Sequence, residues 1–407
     1  MNLDKAPACT LIDAFACIDA RIAPKTAAEA VPVSCAVGRI LTADLAAPLP
    51  SPPFDSAAMD GFALRDSDLG TDGLALLRHA QIIRAGTADV LPLEPGTCAR
   101  ILTGGKIPPG ADRVIRQEQC ELRGDHVLLR SEPGDRRHIR LAGEELAQGA
   151  LAIAGGTRLQ AGHVALLTGL GLSHVGVQPT LRVGLLSTGD ELARPGMSLG
   201  AGQIYDSNRP MIAQFLTREG VEVTDLGSAP DDPAAIEACL AAAAPDHDLL
   251  LTSGGASVGF ADHLARIVSD NGSLTFRRVD MRPGKPVAFG EIAGCPILLL
   301  PGNPLAALAG FVLFGRRILR RLRGETPGHD SLWLPLSQGF EKPARRALVL
   351  SARLQRRAED GMTHVVPWPN QGSASLPVIA EADVLALLPP GPEAIAAGSV
   401  VEVLPLR

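Results

Sequence analysis

LRVGLLST (181–188), VEVTDLG (221–227), DLLLTSG (248–254) and CPILLLPG (295–302) are four short apolar runs, each ending on small polar residues or glycine. Between and after them lie stretches of helical texture: 207–219, ending at Gly220; the alanine-rich DPAAIEACLAAAA (232–244); 261–269; and 304–323, with a basic end at Arg323 and Gly324. Strands that alternate with helices predict an α/β domain over 181–324, built on a parallel sheet with right-handed crossovers. In such a sheet ligands bind outside the carboxyl ends of the strands. Those ends carry SerThrGlyAspGlu (187–191), GlySerAlaProAspAsp (227–232), SerGlyGlyAlaSerValGly (253–259) and LeuProGlyAsnPro (300–304), with ArgProGlyLysPro (282–286) between the last two.

Working outward, the rest of the chain has a different texture. Leu11, Phe15, Ile18 and Ile22 recur at helical spacing before Pro24 and predict an amphipathic helix. From 47 to 148 short apolar runs alternate with Pro, Gly and Asp, as expected of a small, mostly β domain; helical periodicity returns at 161–170. After Pro327, LWLPL, RRALVLSARL, THVVPW, DVLALL and SVVEVLPL suggest a closing β-barrel or sandwich.

Composition excludes several classes. The net charge of −6 disfavours nucleic acid as a partner. No apolar run approaches the roughly 18 residues of a membrane span; Leu305 to Gly315 comes nearest and is stopped by Arg316 and Arg317. Asp4 and Asp13 stand where a signal peptide would be basic and then apolar, so a cytoplasmic protein is expected. The seven cysteines are scattered without a CxxC pair, which argues against a zinc site or a disulfide framework.

The predicted rim has the chemistry of a phosphate site. Gly254, Gly255, Gly259, Gly284 and Gly302 allow close backbone approach and present N–H groups, while Arg282 and Lys285 add full charges. Asp190, Glu191 and Asp262 are the oxygen ligands that a phosphate-bound divalent metal would take. Any one Gly-Asp or Pro-Gly pair is ordinary turn chemistry, but five such loops on one rim are hard to explain by turns alone. Neither Lys106 nor Lys285 has P-loop spacing, and no GxGxxG follows a strand.

Seven ordered motifs then narrow the class: FDSAAMDGFALR (54–65), RILTGGKIPPGADRVIRQEQ (100–119), LLSTGDEL (185–192), GQIYDSNR (202–209), TSGGASVG (252–259), MRPGKPVAFG (281–290) and LPGNPLAAL (300–308). Together they closely resemble the molybdopterin molybdenumtransferase family, which includes the gephyrin E domain; the resemblance runs from about residue 10 to 325 and is weaker beyond. It implies an enzyme that inserts molybdenum from molybdate into adenylylated molybdopterin and, with Mg2+, releases AMP. It implies an elongated homodimer of four-domain subunits: 1–46 with 149–180, an inserted β-rich 47–148, the α/β 181–324, and a C-terminal β domain 325–407. The second domain of one subunit would face the α/β domain of the other. The molybdopterin adenylyltransferase and apo-molybdoenzymes are the implied protein partners.

Carried over by motif, Asp60, Thr103, Glu191, Asp232 and Asp262 are the implied catalytic residues, with Asp190, Glu191 and Asp262 at the metal. Thr188, Gly189, Asp190, Asn208, Ser253, Gly254, Gly255, Ser257 and Asn303 are implied on the pterin-phosphate side. Arg282 and Lys285 resemble the basic pair that holds molybdate, assisted by Arg346 and Ser373. The chain departs from the family pattern at Ser56, Ala57, Glu145, Phe260 and Ala306. Phe260, Ala306 and the divergent last domain motivate a second expectation, a non-catalytic protein that binds or delivers the cofactor.

Overall fold

The computed structural model describes residues 8–131, 137–254, 260–326, 331–342, 345–369 and 371–406, with the backbone alone at Phe260, Ala261 and Asp262. The chain forms two compact units. One runs up to Glu29, takes in Gly38–Thr42, and resumes from Val177 onward; the other comprises Ala30–Val37 and Ala43–Gly176.

Helix α1 (Leu11–Arg21) starts at a reciprocal cap. The Thr10 hydroxyl accepts from the Asp13 N–H at 3.1 Å, and the Asp13 carboxylate accepts from the Thr10 N–H at 3.4 Å, so two orphan donors are satisfied. Its buried face, Leu11, Ala14 and Ile18, enters the core of the α/β unit, and Phe15 lies 5.6 Å from Phe314 between ring centroids. The sequence reading grouped 1–46 with 149–180. The helix instead belongs to the α/β unit, because its apolar stripe is covered by the aromatic and aliphatic residues of that core.

In the second unit a six-stranded sheet contains β1 (Gly61–Leu64), β2 (Leu74–Ile83), β3 (Thr97–Ile101), β4 (Arg113–Arg116), β5 (Cys120–Arg123) and β6 (His126–Arg130). The order is β4-β1-β3-β2-β6-β5, with β2 and β3 parallel and the other pairs antiparallel. Both faces are covered, one around Ile83, Ile101 and Val114, the other around Phe62, Leu64 and Leu129. A Cβ on Gly61 would fall 1.9 Å from the Ile115 carbonyl oxygen, so β1 and β4 can pair this closely only with glycine there. Helix α2 (Ala161–Gly169) follows, where the sequence regains helical periodicity.

The α/β region runs β7 (Arg182–Thr188), α3 (Asn208–Arg218), β8 (Glu222–Ala229), α4 (Pro233–Ala243), β9 (Leu249–Gly254), α5 (Phe260–Asp270), β10 (Gly272–Arg277), β11 (Met281–Arg282), β12 (Ala288–Ile292), β13 (Cys295–Leu300), α6 (Pro304–Gly310) and α7 (Arg316–Arg323). The four expected strands are parallel in the order β8-β7-β9-β13. Beyond them the sheet continues with β12 and β10, both antiparallel to their neighbours. The β12–β13 hairpin turns through Ala293 (φ 47°) and Gly294 (φ 80°), a pair too plain to announce a turn in the sequence. The helix from Pro304 is continuous but passes through a π-helical turn at Phe311–Gly315.

The C-terminal strands are β14 (Leu332–Pro335), β15 (Ala347–Arg356), β16 (Thr363–Pro367), β17 (Val384–Leu388) and β18 (Val400–Pro405), with helix α8 (Leu376–Glu381). They follow the order β11-β15-β17-β18-β14, and β16 pairs β15. A bridge between Leu336 and Val365 brings the end of β14 against β16, so the sheet curls back on itself around Leu336, Leu350, Val365, Ala386 and Val403. Strand β11 belongs by sequence to the α/β region, yet it pairs with β15 through Met281–Ala347 and Arg282–Leu348.

Ile18 is fully buried on α1, and Ile18→Ala deletes three side-chain carbons from the core. We expect a loss of about 2–5 kcal/mol in urea-induced unfolding, which reports the docking of α1.

Candidate functional site

The carboxyl ends of β7, β9 and β13 come together as the alternating pattern requires. Gly254 ends β9 at φ 123°, and a Cβ there would lie 2.0 Å from the Thr188 carbonyl oxygen. Only glycine lets the two strand ends approach so closely. Asn208, the first residue of α3, is buried, and its amide nitrogen donates to Ser253 Oγ at 2.9 Å and to the Gly302 carbonyl at 2.7 Å. Beneath the rim the hydroxyls of Ser187, Thr188 and Thr252 and the Asn208 Oδ1 are buried with no hydrogen-bond partner among the described residues. Buried polar groups rarely stay unpaired, and residues 255–259, which directly follow β9, lie outside the described residues.

The acidic side holds Asp190, Glu191 and a residue that the motifs did not single out. Asp190 Oδ1 accepts from the Asp231 N–H at 3.0 Å. Burial, then the charges of Asp190 and Glu191, push the Asp231 carboxyl above the usual range. Asp232, the residue carried over from the family, caps α4 instead: its carboxylate accepts from the Ala234 N–H at 3.1 Å. A signal for this was present. Pro233 at the first helical position marks Asp232 as the cap and leaves Asp231 to face the other carboxylates. Gly189 has φ 147°, and a Cβ on it would collide with the Glu191 carboxylate at 2.5 Å.

Gly255 and Ser257 lie outside the described residues, and so does the side chain of Asp262. Among the described residues no group of three or more His, Cys, Asp or Glu side chains is arranged to hold a metal ion. Asp190 and Glu191 nonetheless place two carboxylate charges beside Asp231 and raise the cost of ionising it. All seven cysteines are free, and burial pushes Cys98, Cys120 and Cys295 up to about 12, far from thiolate at neutral pH.

Next to the Gly302–Asn303 turn opens a cavity of ≈ 710 Å³. Arg282, Lys285, Asn303, Arg346 and Ser373 all line it, although they come from three distant parts of the chain. Ala306, one of the departures from the family pattern, lines it too. Pairing of β11 with β15 carries Arg346 to the cavity, and the Leu305 N–H donates to the Ser373 carbonyl at 3.0 Å, which docks that loop on the start of α6. Gln371 braces the same loop: its amide exchanges bonds of 3.0 Å with both the N–H and the carbonyl of Ser351 and donates to the Trp368 carbonyl at 2.7 Å.

In the β-rich unit, Asp60 and Thr103 meet. The Thr103 N–H and hydroxyl both donate to Asp60 Oδ1 at 2.7 Å, and these bonds hold the carboxyl below the usual range, the backbone one first. Gly104 (φ 78°) turns the loop so that its N–H reaches the Ala57 carbonyl at 2.9 Å. Because the folded value is depressed, the bonds are fully formed above the unfolded midpoint and weaken as pH falls through the folded one. Thr103→Val removes the hydroxyl bond alone. The Asp60 carboxyl, followed by carbon-detected NMR titration, is expected to titrate at higher pH in that variant.

With this geometry in place, the likeness to known proteins is specific. Residues 9–171 match the model of the MoeA N-terminal region (domain I and II), 184–321 that of a probable molybdopterin binding domain, and 334–406 that of the MoeA C-terminal region (domain IV). A molybdopterin molybdenumtransferase 2 of Mycobacterium tuberculosis is 36% identical over 389 residues, 92% of this chain and 94% of that protein. The molybdopterin molybdenumtransferase of Haemophilus influenzae is 38% identical over 291 residues, 71% of this chain and 72% of that protein. The crystal structure of the molybdopterin biosynthesis moeA protein from Pyrococcus horikoshii OT3 superposes with a TM-score of 0.85 at 25% identity, covering 98% of this chain and 100% of that one. The chain belongs to the MoeA family of molybdopterin molybdenumtransferases.

Proposed function

We propose that this protein inserts molybdenum from molybdate into adenylylated molybdopterin and releases AMP, giving molybdenum cofactor. The observation that carries it is the cavity gathering Arg282, Lys285, Asn303, Arg346 and Ser373. Molybdate is a tetrahedral dianion. Three cationic side chains and two neutral polar ones, drawn from separate segments, match its charge and its spread of oxygens. The Gly302–Asn303 turn joins this cavity to the rim where Thr188, Gly189, Asn208, Ser253 and Gly254 stand, the place for the pterin phosphates. Molybdenum ends on sulfurs of the pterin, so the protein needs no thiolate of its own.

Opening the phosphoanhydride of the adenylylated pterin requires negative charge to be neutralised. Mg2+ belongs to the proposal here: Asp190, Glu191 and Asp262 would hold it, and when bound it supplies charge to the phosphate oxygens. Asp231 joins this acidic side, and Asp232 serves it indirectly by fixing the start of α4. The family resemblance extends the proposal to a homodimer in which Asp60 and Thr103 complete the site. It also extends to exchange with the adenylyltransferase that makes the substrate and the apo-molybdoenzymes that take the product. No helix among the described residues is long and apolar enough to cross a membrane, and a cytoplasmic location is part of the same proposal.

Purified protein given adenylylated molybdopterin, molybdate and Mg2+ is expected to release AMP and yield cofactor that activates an apo-molybdoenzyme. Lys285→Ala and Asp262→Ala should each slow this by about 10²-fold, the usual cost of losing a charged group from a preorganised site. Asp231→Asn should slow turnover, whereas Asp232→Asn, whose carboxamide can still cap α4, should turn over nearly as the parent does. AMP release that ignores molybdate, or no release where a related transferase works, would sink the proposal.

A further inference from the structure

We propose that Asp280 is a positioning residue that holds the Arg346 guanidinium side-on, so that its terminal nitrogens are presented to the basic cavity. The inference rests on the oxyanion reading of that cavity and adds to it a residue outside every site motif that the sequence displays. Arg346 immediately precedes β15 and lines the cavity; Asp280 immediately precedes β11. Pairing of the two strands brings the side chains together, and Arg346 Nε lies 2.9 Å from Asp280 Oδ1.

The backbone of Asp280 is pinned from two directions. Its N–H donates to the Cys9 carbonyl at 2.8 Å, and its own carbonyl accepts from the Ala347 N–H at 3.1 Å. The carboxylate is thereby kept beside Arg346, and the shortest contact between the two side chains is the one at Nε. Among the described residues the Arg346 Nη groups have no hydrogen-bond partner, so the four N–H bonds of the fork stay open. The arginine side chain is 45% exposed and the aspartate 33%. An arginine so exposed samples many rotamers unless something orders it, and an oxyanion that must order it binds more weakly.

Asp280 also carries a negative charge beside a site for anions, and by Coulomb's law that charge alone weakens anion binding. Orientation and charge thus act with opposite sign, and two substitutions separate them. Asp280→Asn keeps an oxygen to accept from Nε and removes the charge. Asp280→Ala removes both.

The test is calorimetric titration of the full-length protein with molybdate, with folding of each variant checked by its thermal melt. The expected order is Asp280→Asn binding at least as tightly as the parent, and Asp280→Ala binding about 2- to 10-fold more weakly, the range for ordering one long side chain. In turnover, the alanine variant should raise the KM for molybdate and leave kcat nearly unchanged. In an Arg346→Ala background, Asp280→Ala should change affinity by less than about two-fold, because the effect passes through Arg346. If the parent fails to bind molybdate, or Lys285→Ala and Arg346→Ala bind as the parent does, the oxyanion reading falls and the inference with it. If those controls behave and Asp280→Ala binds as tightly as the parent or more so, the positioning role alone is overturned. Should the alanine variant not fold, weaker binding by Asp280→Asn overturns it equally.

Discussion

The carboxamide of Asn208, buried at the start of α3, donates one hydrogen bond to Ser253 at the end of β9 and another to the Gly302 carbonyl beyond β13. Three segments that emerge separately from the sheet are thereby fixed against each other. The strand ends on either side can crowd in because Gly254 offers no Cβ to the Thr188 carbonyl. A single polar tie and a single missing methyl group set the spacing of the rim. The hydroxyls of Ser187, Thr188 and Thr252, which have no hydrogen-bond partner among the described residues, are buried on the same strands.

The basic cavity depends on a second constraint, the pairing of β11 with β15. Arg282 and Lys285 come from a loop of the α/β region, Arg346 and Ser373 from the C-terminal strands. Neither group would meet the other without a shared ladder. Carboxylates gather around Asp190, Glu191 and Asp231, while Arg282, Lys285 and Arg346 line the cavity beyond the Gly302–Asn303 turn, where Glu341 and Asp280 stand among them.

Much of this was legible in residue order. Periodicity located β7, α3, β8, α4, β9, α5, β13 and the long helix from Pro304, because buried parallel strands and amphipathic helices leave strong apolar patterns. It was silent on β10 and β12; β12 pairs β13 through a turn at Ala293–Gly294 with no Asn-Gly or Asp-Gly signature, and β10 adds to the far edge of β12. Motif order pointed to Arg346 and Ser373, and the cavity holds both. It pointed to Asp232, which the structure places at the N-cap of α4, and it did not single out the neighbouring Asp231, which lies beside Asp190 and Glu191.

The sequence by itself determined the alternation of strands and helices, the glycines at the strand ends and the kinds of charge available, since these depend on local pattern and on composition. Only the tertiary structure decided that α1 docks on the α/β core, that Asn208 ties two strand ends together, and that Asp280 stands against Arg346. Each of these joins residues dozens to hundreds of positions apart. Such contacts follow from which surfaces bury one another and in what register strands pair, and no local spacing encodes them.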